Sequence, residues 1–360
     1  MLFYELIRIA LEQKGSLSKD PFNYEWKTMF EQSQKQAVAG IAFLALERLA
    51  QGGQKPPLPL LYEWIGISER IKAQNRLLNK RCIEITKIFE KAGFRSCILK
   101  GQGNALMYPD PLLRTSGDID IWVEGNRKEI RDFVTSRCPH AQDGDMHIEF
   151  PVFRDVTIEV HYKPSYSSIP KFERRLQAWF KSQADEQFTN GVSLTGVAEK
   201  EICVPTMMFN AIQQMSHIMG HFFVEGIGLR QFVDYYYVLK HSDVRGRKEE
   251  IREGFRWLGL EKFASGVMWI EKEILGIDEQ CLIVEPNKRL GRLILNEMME
   301  GGSFGHYDQR YLLRNKGYLA RGLVDSYRLL KLAYYFPHNA LWKIVRKVEN
   351  QKWKMKRKGN

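Results

Sequence analysis

The stretch GDIDIWVE, residues 117–124, constrains the fold more than any other part of this chain. Ile119, Ile121, Trp122 and Val123 are side chains that folding buries, yet Asp118 and Asp120 are threaded between them. Successive strand residues face opposite sides, so the stretch predicts a strand with Asp118 and Asp120 on one face and Ile119 and Ile121 on the other. In TIEVHY, residues 157–162, the same alternation pairs Glu159 with His161 and Ile158 with Val160. If the two strands are neighbours, three carboxylates converge. Two carboxylates about 4 Å apart repel by roughly 4 kcal/mol at an effective dielectric of 20. Such a group demands a cation, a shared proton or an Arg/Lys partner. Oxygen-only ligands suit Mg2+ or Mn2+ rather than zinc. The bland alternative has Asp118 capping the loop through Gly117 and Asp120 facing solvent on an edge strand.

The flanking sequence predicts where this strand sits. Residues 1–93 read as a helical N-terminal segment, interrupted by the breaker QGGQKPPLP and stopped by Gly93. Residues 94–170 read as a compact α/β core: a strand in FRSCILKG, a short helix in QGNALMY, a loop in PDPLLRTSG and the DIDIWVE strand. The helix NRKEIRDFVTSRC and two strands, HIEFPVF and VTIEVHY, complete it, the last two joined as a hairpin at Arg154-Asp155. Residues 171–340 return to helix, with Pro205 suited to a helix start, and 341–360 form a basic tail. The expected class is α+β, a small sheet-containing core flanked by helical segments.

Composition narrows the function classes. The formal charge is +11, but the last 20 residues hold eight Lys/Arg and one Glu, a net +7. The rest of the chain is therefore close to ordinary. The tail reads as a solvated end, with an anionic polymer, nucleic acid or membrane surface as the alternative partner. Five cysteines are scattered singly, which argues against a disulfide framework and fits a reducing cytoplasm. Glu5 and Arg8 interrupt the first apolar run, so it does not read as a secretory signal, and no stretch approaches a membrane span.

LKG, then RTSGDIDIWV, then IEVHY resembles the nucleotidyltransferase superfamily with a DNA-polymerase-β-like catalytic core. The closer resemblance, over roughly residues 70–240, is to a bacterial family of uncharacterised nucleotidyltransferases. It implies a polymerase-β-like core that transfers an NMP group from an NTP to a hydroxyl or phosphate acceptor with Mg2+ or Mn2+. Asp118 and Asp120 match the paired metal ligands, and Glu159 matches the third acid, a ligand or general base. Gly101 matches the glycine turn where backbone N–H groups approach the phosphates. Gln102 stands where many superfamily members have a phosphate-contacting serine, a contact that Lys100 and Arg114 are expected to supply instead. That departure motivates one alternative, a catalytically silent nucleotide-binding or regulatory module. A nucleic-acid-binding protein using the basic tail is another.

Other residues carry weaker expectations. Arg114 is placed either to neutralise one of the aspartates or to contact phosphate. His217 and His221, at i and i+4 on one helix face, lack the acid of a zinc-protease motif. The resemblance makes them nucleotide- or acceptor-site candidates against satisfied core histidines. Arg230 and Asp234 are spaced for an intrahelical pair, and the resemblance keeps Asp234 as a candidate support for the site. Tyr235, Tyr236 and Tyr237 read as core. His161 is expected to orient Glu159, and His147 with Glu149 replaces Glu159 if the strand register differs.

Overall fold

The computed structural model describes residues 2–196, 200–224, 226–305, 307, 330–342 and 345. Most of the basic tail lies outside the described residues. Four helices open the chain: α1 (Leu2–Glu12), α2 (Asn23–Lys35), α3 (Ala39–Gln51) and the long α4 (Leu58–Glu90). Within the expected helical segment, α2 and α3 are separated by a break where Ala37 takes φ +55°. Gln36 causes the break by turning inward: its Nε2 donates to Met298 O (3.1 Å) and its Oε1 accepts from Leu229 N (3.0 Å). Gly93 ends α4 as expected, at φ +81°, with Phe94 N donating back to Phe89 O.

The sheet follows as β1 (Ser96–Leu99), α5 (Gly101–Ala105), β2 (Ile119–Val123), α6 (Arg127–Arg137), β3 (His147–Glu149) and β4 (Ile158–His161). The strand order is β1-β2-β4-β3, with β2 and β4 parallel and both outer pairs antiparallel. Then come α7 (Pro170–Gln187), β5 (Gly191–Val192), β6 (Ile202–Cys203), α8 (Met207–Val224) and α9 (Leu229–Lys240). Helices α10 (Ser242–Gly246), α11 (Lys248–Leu258), α12 (Glu261–Glu273) and α13 (Lys288–Gly301) close this part. The β5–β6 ladder is unexpected. Two-residue strands carry no period, and the pair is held by Asn190–Val204 contacts outside it. Pro205 precedes α8, whose first turn Thr206 caps instead. No helix among the described residues is long and apolar enough to cross a membrane.

The sheet divides two cores. Ile98, Ile119, Ile121, Val123, Ile148, Ile158 and Val160 meet Leu78, Cys82, Ile85 and Phe89 of α4 and Ile130 and Val134 of α6. Cys97, Leu99 and Trp122, on the opposite face, join the larger helical core. Trp122 there stacks on Phe209 of α8 at 5.8 Å between ring centroids. Burying each aliphatic side chain contributes roughly 1.5–3 kcal/mol. A one-residue slip of β2 or β4 would bring Asp120, or Glu159 and His161, into that layer, so the apolar face locks the register.

The loop entering β2 is clamped before it reaches the acids. Asn75 Nδ2 donates to Leu112 O and Arg114 O, both at 2.7 Å. Gly40 of α3 lies so close that an added Cβ would stand 2.2 Å from Leu113 O. Gly40→Ala should therefore lose about 1–3 kcal/mol of stability through overpacking, although alanine improves helix propensity by about 1 kcal/mol. The shift of the denaturant midpoint reads this balance, and an unchanged or raised midpoint contradicts it.

Candidate active site

The polar face of the sheet carries its groups in two rows. Leu99, Asp120, Glu159 and Glu149 are register partners across the four strands, and so are Cys97, Trp122, His161 and His147. Glu159 thus stands directly beside Asp120, with Glu149 one strand further out. Asp118, just before β2, is exposed, whereas Asp120 is only 9% exposed. One carboxylate oxygen from each of Asp118, Asp120 and Glu159 lies within 4.8 Å of the others.

The charge that answers these acids is lysine, not arginine. Lys100 ends β1 at φ +53°, followed by Gly101 at φ +29°, and this turn aims its side chain across the sheet. Lys100 Nζ lies 2.9 Å from Asp120 Oδ2 and donates to His217 Nε2 at 2.9 Å. His221 Nε2 is 2.9 Å from the same His217 nitrogen. His161 Nε2 is 2.7 Å from Asp120 Oδ1 and 3.5 Å from Glu159 Oε2. His161 therefore orients Asp120 first and Glu159 second. Helix α8 brings His217 and His221 to the sheet, and the structure joins them to Lys100.

These contacts set the protonation. Burial pushes Asp120 up, but Lys100 and His161 outweigh it and hold this carboxyl well below its ordinary range. Asp118 is raised, chiefly by the Asp120 charge and then by burial, with Lys100 opposing. Burial lowers His161, yet Asp120 and Glu159 raise it overall. His217 is driven well below its ordinary value by burial, with Lys100 and His221 adding to the effect. A neutral His217 can accept from the ammonium of Lys100 and keep it aimed.

Arg114 is placed elsewhere. It is 4% exposed and forks onto Asp234 of α9, Nε to Oδ1 at 2.8 Å and Nη2 to Oδ2 at 2.7 Å. Tyr108 and Asn104 also donate to Asp234, while Asn210 and Gln214 donate to Asn104. The four-residue spacing of Arg114 and Asp118 left an aspartate or a phosphate as its expected partner. The partner is instead supplied by a helix 120 residues later in the chain. Gln102 is buried, donates to Asn79 of α4, and has an Oε1 with no hydrogen-bond partner. Gly117 has no positive φ, and open space lies where its Cβ would be. Tyr235 and Tyr236 are fully buried, as expected of core. Asn79, Asn104, Tyr108, Asn210 and Gln214 escaped sequence reasoning. The one available signal was the polar triplet Asn210, Gln213, Gln214 inside an otherwise apolar helix.

Three carboxylates of mixed exposure, a lysine and the neutral imidazole of His217 fit a divalent cation with a phosphate-bearing ligand. All-oxygen donors match hard ions, and the raised Asp118 marks repulsion that a cation would relieve. No curated protein matches the chain. Among solved structures, an antigenic nucleotidyltransferase-like protein from Paracoccidioides brasiliensis is similar at 11% identity and a TM-score of 0.31. That match covers 51% of this chain and 92% of the other. The family model described as "Uncharacterised nucleotidyltransferase" matches residues 23–276, well over half of the sequence and including every residue of the polar sheet face. The chain belongs to that uncharacterised nucleotidyltransferase family.

Proposed function

We propose that the protein transfers an NMP group from an NTP to a hydroxyl or phosphate acceptor in a reaction dependent on Mg2+ or Mn2+. The observation that carries this reading is the convergence of Asp118, Asp120 and Glu159 at one end of the polar sheet face. These three residues would hold the cation, which when bound would neutralise triphosphate charge and ease ionisation of the acceptor hydroxyl. The acceptor oxygen forms a bond to the α-phosphorus as the bond to the bridging oxygen breaks, and pyrophosphate leaves. Glu159, the register partner of Asp120 with a quarter of its side chain exposed, is also placed to take the acceptor proton.

Lys100 serves the phosphates. Its ammonium neutralises Asp120 and, at the end of β1, is the cation placed nearest the carboxylates to reach phosphate oxygens. His217, with His221 behind it, positions Lys100. Gly101 and Gly117 keep the backbone open beside Asp118, and Arg114 and Gln102 support the two loops that carry Lys100 and Asp118. The helical segments on either side, rather than the 94–170 core, are proposed to define the acceptor.

Incubation with each of the four NTPs and Mg2+ or Mn2+ tests this, reading pyrophosphate release and intact mass for self-modification. Metal-dependent release is expected from the wild type and lost in Asp118→Asn. Nucleotide binding without turnover or self-modification supports the silent module instead. Turnover unchanged in Asp118→Asn would falsify the proposed mechanism.

A further inference from the structure

A second donor set lies beside the carboxylates. His147 on β3 is directly opposite His161 on β4, and Glu159 shares their face. His147 Nδ1 is 3.3 Å from Glu159 Oε2, and His161 Nε2 is 3.5 Å from the same oxygen. One ligand atom from each of the three residues lies within 4.8 Å of the others. Metal bonds of about 2.0–2.2 Å place tetrahedral neighbours roughly 3.3–3.6 Å apart. Both of these separations match that spacing.

The chemistry of this set differs from that of the aspartates. Two imidazole nitrogens and one carboxylate oxygen suit a borderline first-row ion, whereas Mg2+ takes oxygen donors and sheds water reluctantly. We propose that His147, Glu159 and His161 bind a transition ion of the Zn2+ type next to the carboxylate site, with Glu159 shared between the two. The proposal rests on the nucleotidyl-transfer reading only for that sharing. β3 is the outer strand of the sheet, and the His147 side chain is 32% exposed, so an ion has access from solvent. His161 Nε2 also lies 2.7 Å from Asp120 Oδ1, so an ion bound at that nitrogen competes with this contact. His161 Nδ1 is buried with no hydrogen-bond partner. Ligating imidazoles ordinarily have an acceptor there, and its loss weakens affinity about 10–100-fold.

Full-length protein, stripped of metal, is titrated with Co2+ alone and followed by visible ligand-field absorption and calorimetry. The wild type is expected to bind Co2+ saturably, with Zn2+ competing and Mg2+ not. His147→Ala and His147→Gln should each weaken binding by at least about 10–100-fold. Circular dichroism on both variants establishes that the fold is retained, and broadening of the His147 imidazole resonances by Co2+ tests the wild type directly. Asp118→Asn lies outside the donor set and should keep the Co2+ signal while losing nucleotidyl transfer. That separates failure of one reading from failure of the other. Equal Co2+ binding by wild type and both His147 variants overturns the proposal. So does no binding by the wild type, or a signal lost in Asp118→Asn but kept in His147→Ala.

Discussion

Asp118→Asn is expected to yield a protein that is slightly more stable and inactive, and Asp120→Ala one that is less stable and inactive. The two aspartates are one residue apart, but their surroundings are opposite. Asp118 is exposed and raised mainly by the Asp120 charge, so its ionisation opposes folding. A raised folded value means stability is present below the ordinary carboxyl range and is lost as pH rises through the folded value. Removing the charge should therefore raise the melting temperature at neutral pH in chelator. The gain should be a few tenths to about 1 kcal/mol, limited by solvent screening, and should vanish near pH 4 and below.

Asp120 behaves in reverse. Its lowered value means that stability is present above the ordinary carboxyl range and lost only in strong acid. Its loss leaves Lys100 and His161 facing each other without the carboxylate between them. Breaking one side of a buried ion pair costs about 3–5 kcal/mol. Both variants should lose at least about 10²–10³ in turnover, the usual effect of deleting one electrostatic contact to a transition state. Melting curves against pH, set beside pyrophosphate release, check the pair. A drop in stability for Asp118→Asn as large as for Asp120→Ala contradicts the assignment.

Asp234→Ala should be among the most destabilising single changes in the protein, at about 3–5 kcal/mol. Both carboxylate oxygens meet the Arg114 guanidinium, and Tyr108 and Asn104 complete the shell. Burial raises Asp234, but Arg114 and Tyr108 together hold it below its ordinary range. Removing the carboxylate strands a guanidinium that is 4% exposed. Arg114→Met with Asp234→Leu, which removes both charges, should recover most of the loss, because neighbouring changes are not additive. Chemical denaturation of the two singles and the double measures the coupling. If Asp234→Ala stays within about 0.5 kcal/mol of wild type and only nucleotide affinity falls, Arg114 is a phosphate ligand rather than a support.

The polar sheet face was legible because period two is a strong signal. Ile119, Ile121, Ile158 and Val160 can be buried together only if Asp120, Glu159 and His161 go the other way. The end of α4 was legible for a similar local reason, in Gly93. What was hidden is long-range. Lys100 and His217 are 117 residues apart, Arg114 and Asp234 120, and no local pattern specifies which cation meets which acid. Arg114 is nearer to Asp118 in sequence, yet the clamp of Asn75 on its carbonyl turns its side chain toward α9. The break at Ala37 was hidden for the same reason: Gln36 bonds to Met298 and Leu229, far along the chain. The β5–β6 ladder is too short for any period to report.

Lys100 sits in a backbone conformation that glycine occupies freely and a lysine adopts only under constraint, at φ +53° and ψ −123°. Holding a non-glycine residue there costs on the order of 1–3 kcal/mol. The following residue, Gly101, shows that the chain does use glycine at this turn. A molecule shaped for folding alone would place a second glycine at position 100. The strain is tolerated because this geometry carries an ammonium from the end of β1 across to Asp120. The turn is therefore a spring set by the surrounding core, and the charge at its tip is what that stored energy holds in place.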